Sequence, residues 1–416
     1  MKIIFFIIII NYTLLITDCY PQWVLQNSGV SSALLDVDFI NSQTGWACGD
    51  GGVILKTTNA GTNWIQQTSG ITDKYLYGID AINANVVFCV GWFQTFLKST
   101  NGGINWIVIR NGLWGQSPSF FNLFFLNENT GWLLRNNYIL RTTNGGTTFD
   151  STYVIYSYLR DVYFKDALTG IICGDGALII RSTDGGLVWN EVTVPHGGVL
   201  SDFFRISVVN NLFGWVIGRG NKRVYKTINF GITWDSIATV PYPAGTENYS
   251  VFFSSINTGW SGGTYGYVFK STNGGLNWIQ QFTPIDGFRN SFWFYNDSIG
   301  WVVGGGGYIL QTTNGGTYLS ITKISNSVPD RYILHQNFPN PFNYKTVIDF
   351  EICENNKYKL DIYDITGKLI EIVFDNFLTR GCYRITYNTD ILSSGTYFYV
   401  LSSNGKSLTR KFTLLK

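Results

Sequence analysis

One short turn occurs seven times in this chain, and that repetition limits the possible folds more than any other feature. Its first copy is Thr57-Thr58-Asn59-Ala60-Gly61-Thr62-Asn63-Trp64, and the same hydroxyl, amide, glycine and aromatic spacing recurs around Asn101, Asn144, Asp184, Asn229, Asn273 and Asn314. Successive Asn or Asp positions lie 42, 43, 40, 45, 44 and 41 residues apart. A second mark precedes each turn: Gly45-Trp46, Gly131-Trp132, Gly170-Ile171, Gly214-Trp215, Gly259-Trp260 and Gly300-Trp301, with Val86-Val87 standing in for the second copy. A fixed period of this length signals a repeat architecture, in which each unit is one supersecondary element.

Each unit reads as four strands. In the first, Leu34 to Ile40 alternates around apolar positions, Trp46 to Gly49 is short and apolar, Val53 to Thr58 leads into the turn, and Trp64 to Gln67 leaves it. Four strands per 40–45 residues is the period of a propeller blade. The expected fold is therefore all-β: a seven-bladed β-propeller followed by a small β-sandwich domain. Trp23 to Gln26 resembles a fourth strand and is placed to complete the last blade, whose own turn ends in Tyr318-Leu319. Composition agrees. Aromatic residues make up 17% and charged residues only 13%, which excludes a helical bundle and a disordered chain. Two histidines, His196 and His335, leave nothing for a histidine metal site, and a net charge of +2 gives no basic stripe for nucleic acid.

The turn resembles the Asp-box, S/T-x-D/N-x-G-x-x-W, of sialidases and many non-enzymatic propellers. With the spacing and the Gly-Trp mark, it is most similar to the seven-bladed photosystem II stability/assembly factor family and its bacterial relatives. That resemblance implies that the box residues Asn59, Asn101, Asn144, Asp184, Asn229, Asn273 and Asn314 are structural and peripheral.

After Ile324 the repeat stops. Residues 325–333 read as a linker, and 334–416 carry Leu334-His335-Gln336-Asn337-Phe338-Pro339-Asn340-Pro341-Phe342-Asn343, Leu360 to Lys368, Ser394 to Tyr399 and the basic-apolar end Arg410 to Lys416. The order of these motifs resembles the C-terminal sorting domain of the type IX secretion system, which implies an address read by that machinery. It also sets aside a photosystem role. At the other end, Met1-Lys2 followed by Ile3 to Ile10 reads as a secretory signal peptide over 1–19, too short to span a bilayer. The expected organisation is thus signal peptide 1–19, propeller 20–324, linker 325–333 and sorting domain 334–416. The mature chain is expected at the outer cell surface or in the medium, with no transmembrane segment. Cys48, Cys89 and Cys173 read as small buried hydrophobes, while Cys353 and Cys382 share a later segment and are candidates for pairing.

In propellers the starts of the inner strands and the turns between second and third strands share one face. That places Asp36, Asn122, Asp161, Arg205, Ser250 and Ser291 at matching positions, Arg160 and Arg289 beside them, and Trp92 and Trp114 above. Asp36, Asp161, Arg160, Arg205, Arg289, Trp92 and Trp114 are the candidate ligand-binding residues, since aromatics beside arginine suit stacking and charge-assisted hydrogen bonds. Phe204-Arg205-Ile206-Ser207 resembles the F-R-I-P motif of sialidases, but it lies in the fifth blade and Ser replaces Pro. No nucleophile elbow, zinc signature or phosphate loop is present. The expected function is non-catalytic binding of an extracellular protein or glycan, without cofactor, metal or nucleic acid. The alternative is a carbohydrate-active hydrolase with carboxylates at the channel mouth, Asp36 and Asp161 being candidates by position.

Overall fold

The computed structural model describes residues 17–19, 23–110, 112, 119–156, 158–195, 202–281, 283–316, 320–325, 327, 329–388 and 392–415. Trp114 and most of the expected signal peptide lie outside them. The chain divides into one compact unit within Pro21–Thr317 and another within Tyr318–Lys416 together with Met1–Tyr20. No α-helix occurs among the described residues.

The first unit is a ring of seven four-stranded antiparallel sheets. Blade one is Leu34–Phe39, Gly45–Gly49, Ile54–Thr57 and Ile65–Gln67, close to the expected strands. Blade seven takes its inner three strands, Arg289–Phe294, Gly300–Gly304 and Ile309–Thr312, from the end of the repeat, and its outer strand, Val24–Gln26, from the beginning. Val24 pairs with Gln311 and Gln26 with Ile309. Trp23 seals this joint: it is wholly buried, lies edge-on to Phe294 at 5.8 Å, and donates its indole N–H to Gln281 of blade six at 3.0 Å.

The repeated residues interlock neighbouring blades. The inner strand of a blade ends in Phe39, Phe125, Phe164, Phe253 or Phe294, and the ring lies flat on the aromatic of the preceding blade's second strand. Phe39 stacks on Trp301 at 4.1 Å, Phe125 on Phe88 at 3.7 Å, Phe164 on Trp132 at 3.5 Å, Phe253 on Trp215 at 3.9 Å and Phe294 on Trp260 at 3.4 Å. Each such pair contributes about 0.5–1.5 kcal/mol beyond its buried area. The glycine of the Gly-Trp mark is what lets the phenylalanine lie there: a Cβ on Gly45, Gly131 or Gly300 would sit 2.1–2.4 Å from the ring of Phe39, Phe125 or Phe294. Blade two shows the compensation. Ala81 replaces the phenylalanine and pairs with Val87, which replaces the glycine. The mark of that blade is therefore Val87-Phe88, one residue later than the expected Val86-Val87.

The tryptophan of the mark then reaches forward. Trp46, Trp132, Trp215 and Trp260 donate their indole N–H to the carbonyls of Gly102, Gly185, Gly274 and Gly315, each in the Asp-box of the next blade. Within each box the Ser or Thr hydroxyl is the hub. Thr57 Oγ1 accepts the N–H of Asn59 and Gly61 and donates to Asn59 Oδ1, which also accepts the N–H of Asn63. In this first box the bond to the amide two residues on is made by the hydroxyl, and the Asn59 amide oxygen reaches four residues on.

The second unit is a β-sandwich. One sheet runs in the order Thr17–Cys19, Ser320–Ser325, Gly381–Asn388, Lys345–Ile352, Ile333–Leu334, and the other Leu369–Leu378, Asn356–Asp364, Gly395–Ser403, Lys406–Leu414. Strict alternation of burial along Lys345–Ile352 turns Ile348, Phe350 and Ile352 inward to meet Leu360, Ile362, Tyr399 and Leu401. Two elements differ from the sequence expectation. Ser320–Ser325, read as the end of the propeller and the start of a linker, pairs with Gly381–Asn388. Thr17–Cys19, read as the end of the signal peptide, pairs with Ser320–Thr322. Apolar alternation was too short in both for their partners to be read. His335 is structural here: its ring bonds Glu351 at 2.9 Å and its carbonyl accepts the Tyr399 hydroxyl at 2.7 Å. Cys353 and Cys382 are both free thiols.

Candidate functional site

The inner strand of a propeller blade is a sheet edge, and its unpaired amides face the central channel. In this ring, side chains from the preceding blade cap them. Asp36 accepts the N–H of Ile79, Asp38 that of Ala81, Asp80 that of Phe125, Asp161 that of Ile206, and Ser207 that of Phe253. Each tie joins one blade to the next. Asp161 also accepts from its neighbour's amide, Val162 N–H, and from the Asn122 amide at 2.7 Å. Arg205 of blade five crosses the channel to Asp36 of blade one, Nη2 to Oδ1 at 2.8 Å. These groups line a cavity of about 270 Å³.

Burial governs their charge. Desolvation pushes the Asp38 carboxyl up to about 7 and the Asp161 carboxyl up to about 6, the latter against the pull of Arg205 and of the amides of Ile206 and Val162. Asp80 is held well above the ordinary carboxylate range, again by burial, with Asp38 adding repulsion.

The sequence candidates separate into two groups. Asp36, Asp161 and Arg205 sit in the channel and spend their polar atoms on one another and on the backbone. Arg289 is 1% exposed, and its guanidinium donates to the Thr283 hydroxyl and the Ile285 carbonyl; burial lowers it to about 10. These four hold the ring together. Arg160 and Trp92 lie at the mouth. Arg160 forms a two-point pair with Asp175, Nε and Nη2 at 2.7 and 2.8 Å, and lies over the Phe204 ring at 4.7 Å. Trp92 packs on Tyr75 at 4.2 Å and donates its indole N–H to the Tyr77 hydroxyl.

Arg160 belongs to a collar one position before the channel residues whose other members the sequence reading did not single out: Leu35, Tyr77, Phe121, Phe204, Tyr249 and Asn290. In five blades the ladder slips at this residue, between Leu34/Asp36, Leu76/Gly78, Leu159/Asp161, Asn248/Ser250 and Arg289/Ser291. Such a bulge re-aims the extra side chain, and here it brings Tyr77 and Tyr249 to the rim beside Phe121 and Phe204. Tyr77 stacks with Phe121 at 5.8 Å, Phe204 meets Tyr249 edge-on at 5.4 Å, and Arg219 spans both of those rings at 5.5 and 5.7 Å. Arg219 in turn pairs with Glu247 at 2.8 Å and Asp202 at 3.8 Å. Lining up the seven copies and reading the column before Asp36 would have found the collar.

Among the described residues, backbone bonds tie turns of this mouth to the inner strands. The first amide of the second turn bonds the carbonyl just ahead of the inner strand in blades one, two, four, five and six: Asp50 to Ala33, Trp92 to Tyr75, Asp175 to Tyr158, Arg219 to Asp202 and Thr264 to Glu247. The preceding glycine permits that approach, since a Cβ on Gly49, Gly91 or Gly263 would lie about 2 Å from the same carbonyl oxygen (2.0, 2.1 and 1.8 Å).

Fold and motifs together define an exported seven-bladed Asp-box propeller with a β-sandwich that acts as its secretion address. Comparison with known proteins bears this out. Residues 336–414 match the secretion system C-terminal sorting domain, and residues 17–119 match the photosynthesis system II assembly factor YCF48 family of BNR propellers. The sorting domain directs the chain through type IX secretion to the cell surface or the medium. Among solved structures, YCF48 bound to a D1 peptide is 18% identical, covering 71% of this chain and 98% of that one with a TM-score of 0.59. PorZ, a surface component of the type IX system of Porphyromonas gingivalis, is 13% identical over 91% of this chain and 59% of that one, TM-score 0.54. A curated relative, the xyloglucanase Xgh74A of Acetivibrio thermocellus, is 28% identical over 120 residues, 24% of this chain. The match spans only 14% of that enzyme's length.

Proposed function

We propose that the propeller is a non-catalytic binding module whose ligand, an extracellular protein or glycan, seats on the aromatic collar at the channel mouth. One observation carries this reading: the collar side chains are half-buried while Asp36 and Asp161 beneath them bond within the ring. Asp36 accepts the Ile79 amide and the Arg205 guanidinium, and Asp161 accepts the Ile206 amide and the Asn122 side chain, so both carboxylates have partners within the ring. Aromatic rims with fixed polar groups are the usual form of a recognition surface. YCF48 is described with a peptide bound, and PorZ is a surface component; both support a propeller that binds rather than turns over. The partial likeness to a xyloglucanase keeps hydrolysis as the second reading.

The test is a paired screen on the full chain against glycan and surface-protein arrays, with glycosidase substrates in parallel. Binding lost in Tyr249→Ala and Trp92→Ala, with no turnover, supports the proposal. Turnover abolished by Asp161→Asn would overturn it.

A further inference from the structure

The opposite end of the channel carries a second set of side chains, three positions beyond the collar on each inner strand. In blades one, two and five the residue there is Asp38, Asp80 or Ser207, and its oxygen accepts an edge amide of the next blade, that of Ala81, Phe125 or Phe253. In blades three, four, six and seven it is Phe124, Tyr163, Phe252 or Trp293, whose rings supply no oxygen to an amide and line the channel cavity instead. Their neighbours hold them in place: Phe124 meets Tyr163 at 5.0 Å, Phe252 packs on Phe294 at 5.8 Å and Trp293 on Phe39 at 5.2 Å. All four rings are half-buried. Arg160 and Arg219 cover Phe204 and Tyr249 of the collar, whereas no lysine or arginine among the described residues lies over these four.

Charge at this end has one sign. Asp36, Asp38, Asp80 and Asp161 line the cavity against a single cation, Arg205, and that cation is paired with Asp36 at 2.8 Å. Asp38 accepts the amides of Phe39 and Ala81, and Asp80 that of Phe125; neither has a cationic partner among the described residues. A buried carboxylate with neither a cation nor a proton is costly, and burial pushes both carboxyls up. Two hydroxyls are also unmatched. Ser250 and Ser291 are 2% and 5% exposed and line the same cavity, and neither side chain has a hydrogen-bond partner among the described residues. The arc from blade six to blade two therefore sets hydroxyl with ring (Ser250 and Phe252, Ser291 and Trp293) beside two carboxylates, Asp38 and Asp80.

An anion placed here would meet four carboxylates, and a neutral apolar molecule would leave the carboxyls and hydroxyls unmatched. We propose that this end of the channel binds a primary alkylammonium group. Its three N–H donors are shared between the Asp38 and Asp80 carboxylates and the serine hydroxyls, and its apolar stem lies among the rings. The site is separate from the collar and does not depend on what seats there.

Isothermal titration calorimetry of the full chain compares n-butylammonium with 1-butanol and butanoate, which keep the stem and change the head group. The expected result is saturable binding of n-butylammonium, tighter than either of the others, with an affinity that falls about tenfold in Phe252→Leu and in Asp80→Asn. Leu keeps apolar bulk and Asn keeps an oxygen for the Phe125 amide, so both variants should fold; if one does not, the other decides. A titration with acetyl-Gly-Lys-Gly-amide separates the sources. Tighter binding than n-butylammonium points to a lysine side chain of a partner, equal or weaker binding to a free amine, and either supports the proposal. Equal affinity for 1-butanol, tighter binding of butanoate, an affinity unchanged in the folded variants, or no saturable binding of n-butylammonium would each overturn it.

Discussion

Replacing Arg205 by Met tests whether the channel charges hold the ring or await a ligand. In the native chain Arg205 Nη2 lies 2.8 Å from Asp36 Oδ1, with the two side chains only 20% and 8% exposed. At an effective dielectric of about 20, two unit charges at that separation attract by roughly 6 kcal/mol before desolvation is subtracted. Without the arginine, Asp36 keeps only the Ile79 amide at 3.1 Å, and Asp161 loses the cation that offsets its burial. Removing one partner of a buried pair costs about 3–5 kcal/mol, and Met retains the aliphatic packing, so Arg205→Met should lose about that much. Asp36→Asn should lose less, because the amide oxygen still accepts from Ile79 and Arg205 still faces Asp161. The double variant should be less destabilised than the sum of the singles by at least about 2 kcal/mol, the signature of a direct coupling. Urea unfolding followed by tryptophan fluorescence measures all three, since the mark and box tryptophans sit between blades. A stability change below about 0.5 kcal/mol for Arg205→Met, together with loss of ligand binding, would refute the argument and return Arg205 to the ligand.

Four further outcomes follow from the same geometry. Asp38 and Asp161 have folded values raised to about 7 and about 6 from 3.8, so the native state holds more protons than the unfolded one between those limits. Their contribution to stability is present below about pH 4 and is lost as pH rises through 6 to 7; urea midpoints for the propeller transition should therefore fall over that window, and Asp38→Asn should flatten the slope. Gly300→Ala places a Cβ 2.1 Å from the Phe294 ring and should cost about 2–3 kcal/mol by thermal denaturation, with partial relief in a Phe294→Ala background. Trp23→Ala empties a fully buried site against Phe294 and Gln281 and should cost about 3–5 kcal/mol. Thr142→Ala strips the hydroxyl that accepts the Asn144 and Gly146 amides, costing about 1–3 kcal/mol and raising hydrogen exchange in that turn alone.

The ring was legible because its logic is local and repeated. A hydroxyl hub, a left-handed glycine and a flat aromatic each leave a mark in sequence, and seven copies at one period admit few closed arrangements. The same repetition pointed to the strand ends that meet at the channel but not to what each side chain there bonds. Asp36, Asp161, Arg205 and Arg289 look like a polar mouth in one dimension, since a sequence does not show which edge amides need capping. Tyr77 and Tyr249 stayed hidden because a bulge shifts them into view, and nothing local in Leu76-Tyr77-Gly78 announces the slip. The strand Ser320–Ser325 was misread for a different reason: its partner, Gly381–Asn388, lies some sixty residues away, beyond any local pattern.

The blade shared between the two ends of the repeat also has a temporal meaning. Val24 is among the first propeller residues to leave the ribosome, and its ladder partner Gln311 is among the last. Until the second arrives, the outer edge of the seventh sheet has no owner, and Trp23 has no pocket. Synthesis can lay down six blades in order, but the ring becomes a single cooperative body only at the end, a non-local step that is intrinsically slow. The first strand of the sorting sandwich, Ser320–Ser325, follows that closing strand by less than ten residues. The molecule thus acquires its clasp just before the beginning of its export label, so any chain long enough to carry the label already holds both strands of the clasp.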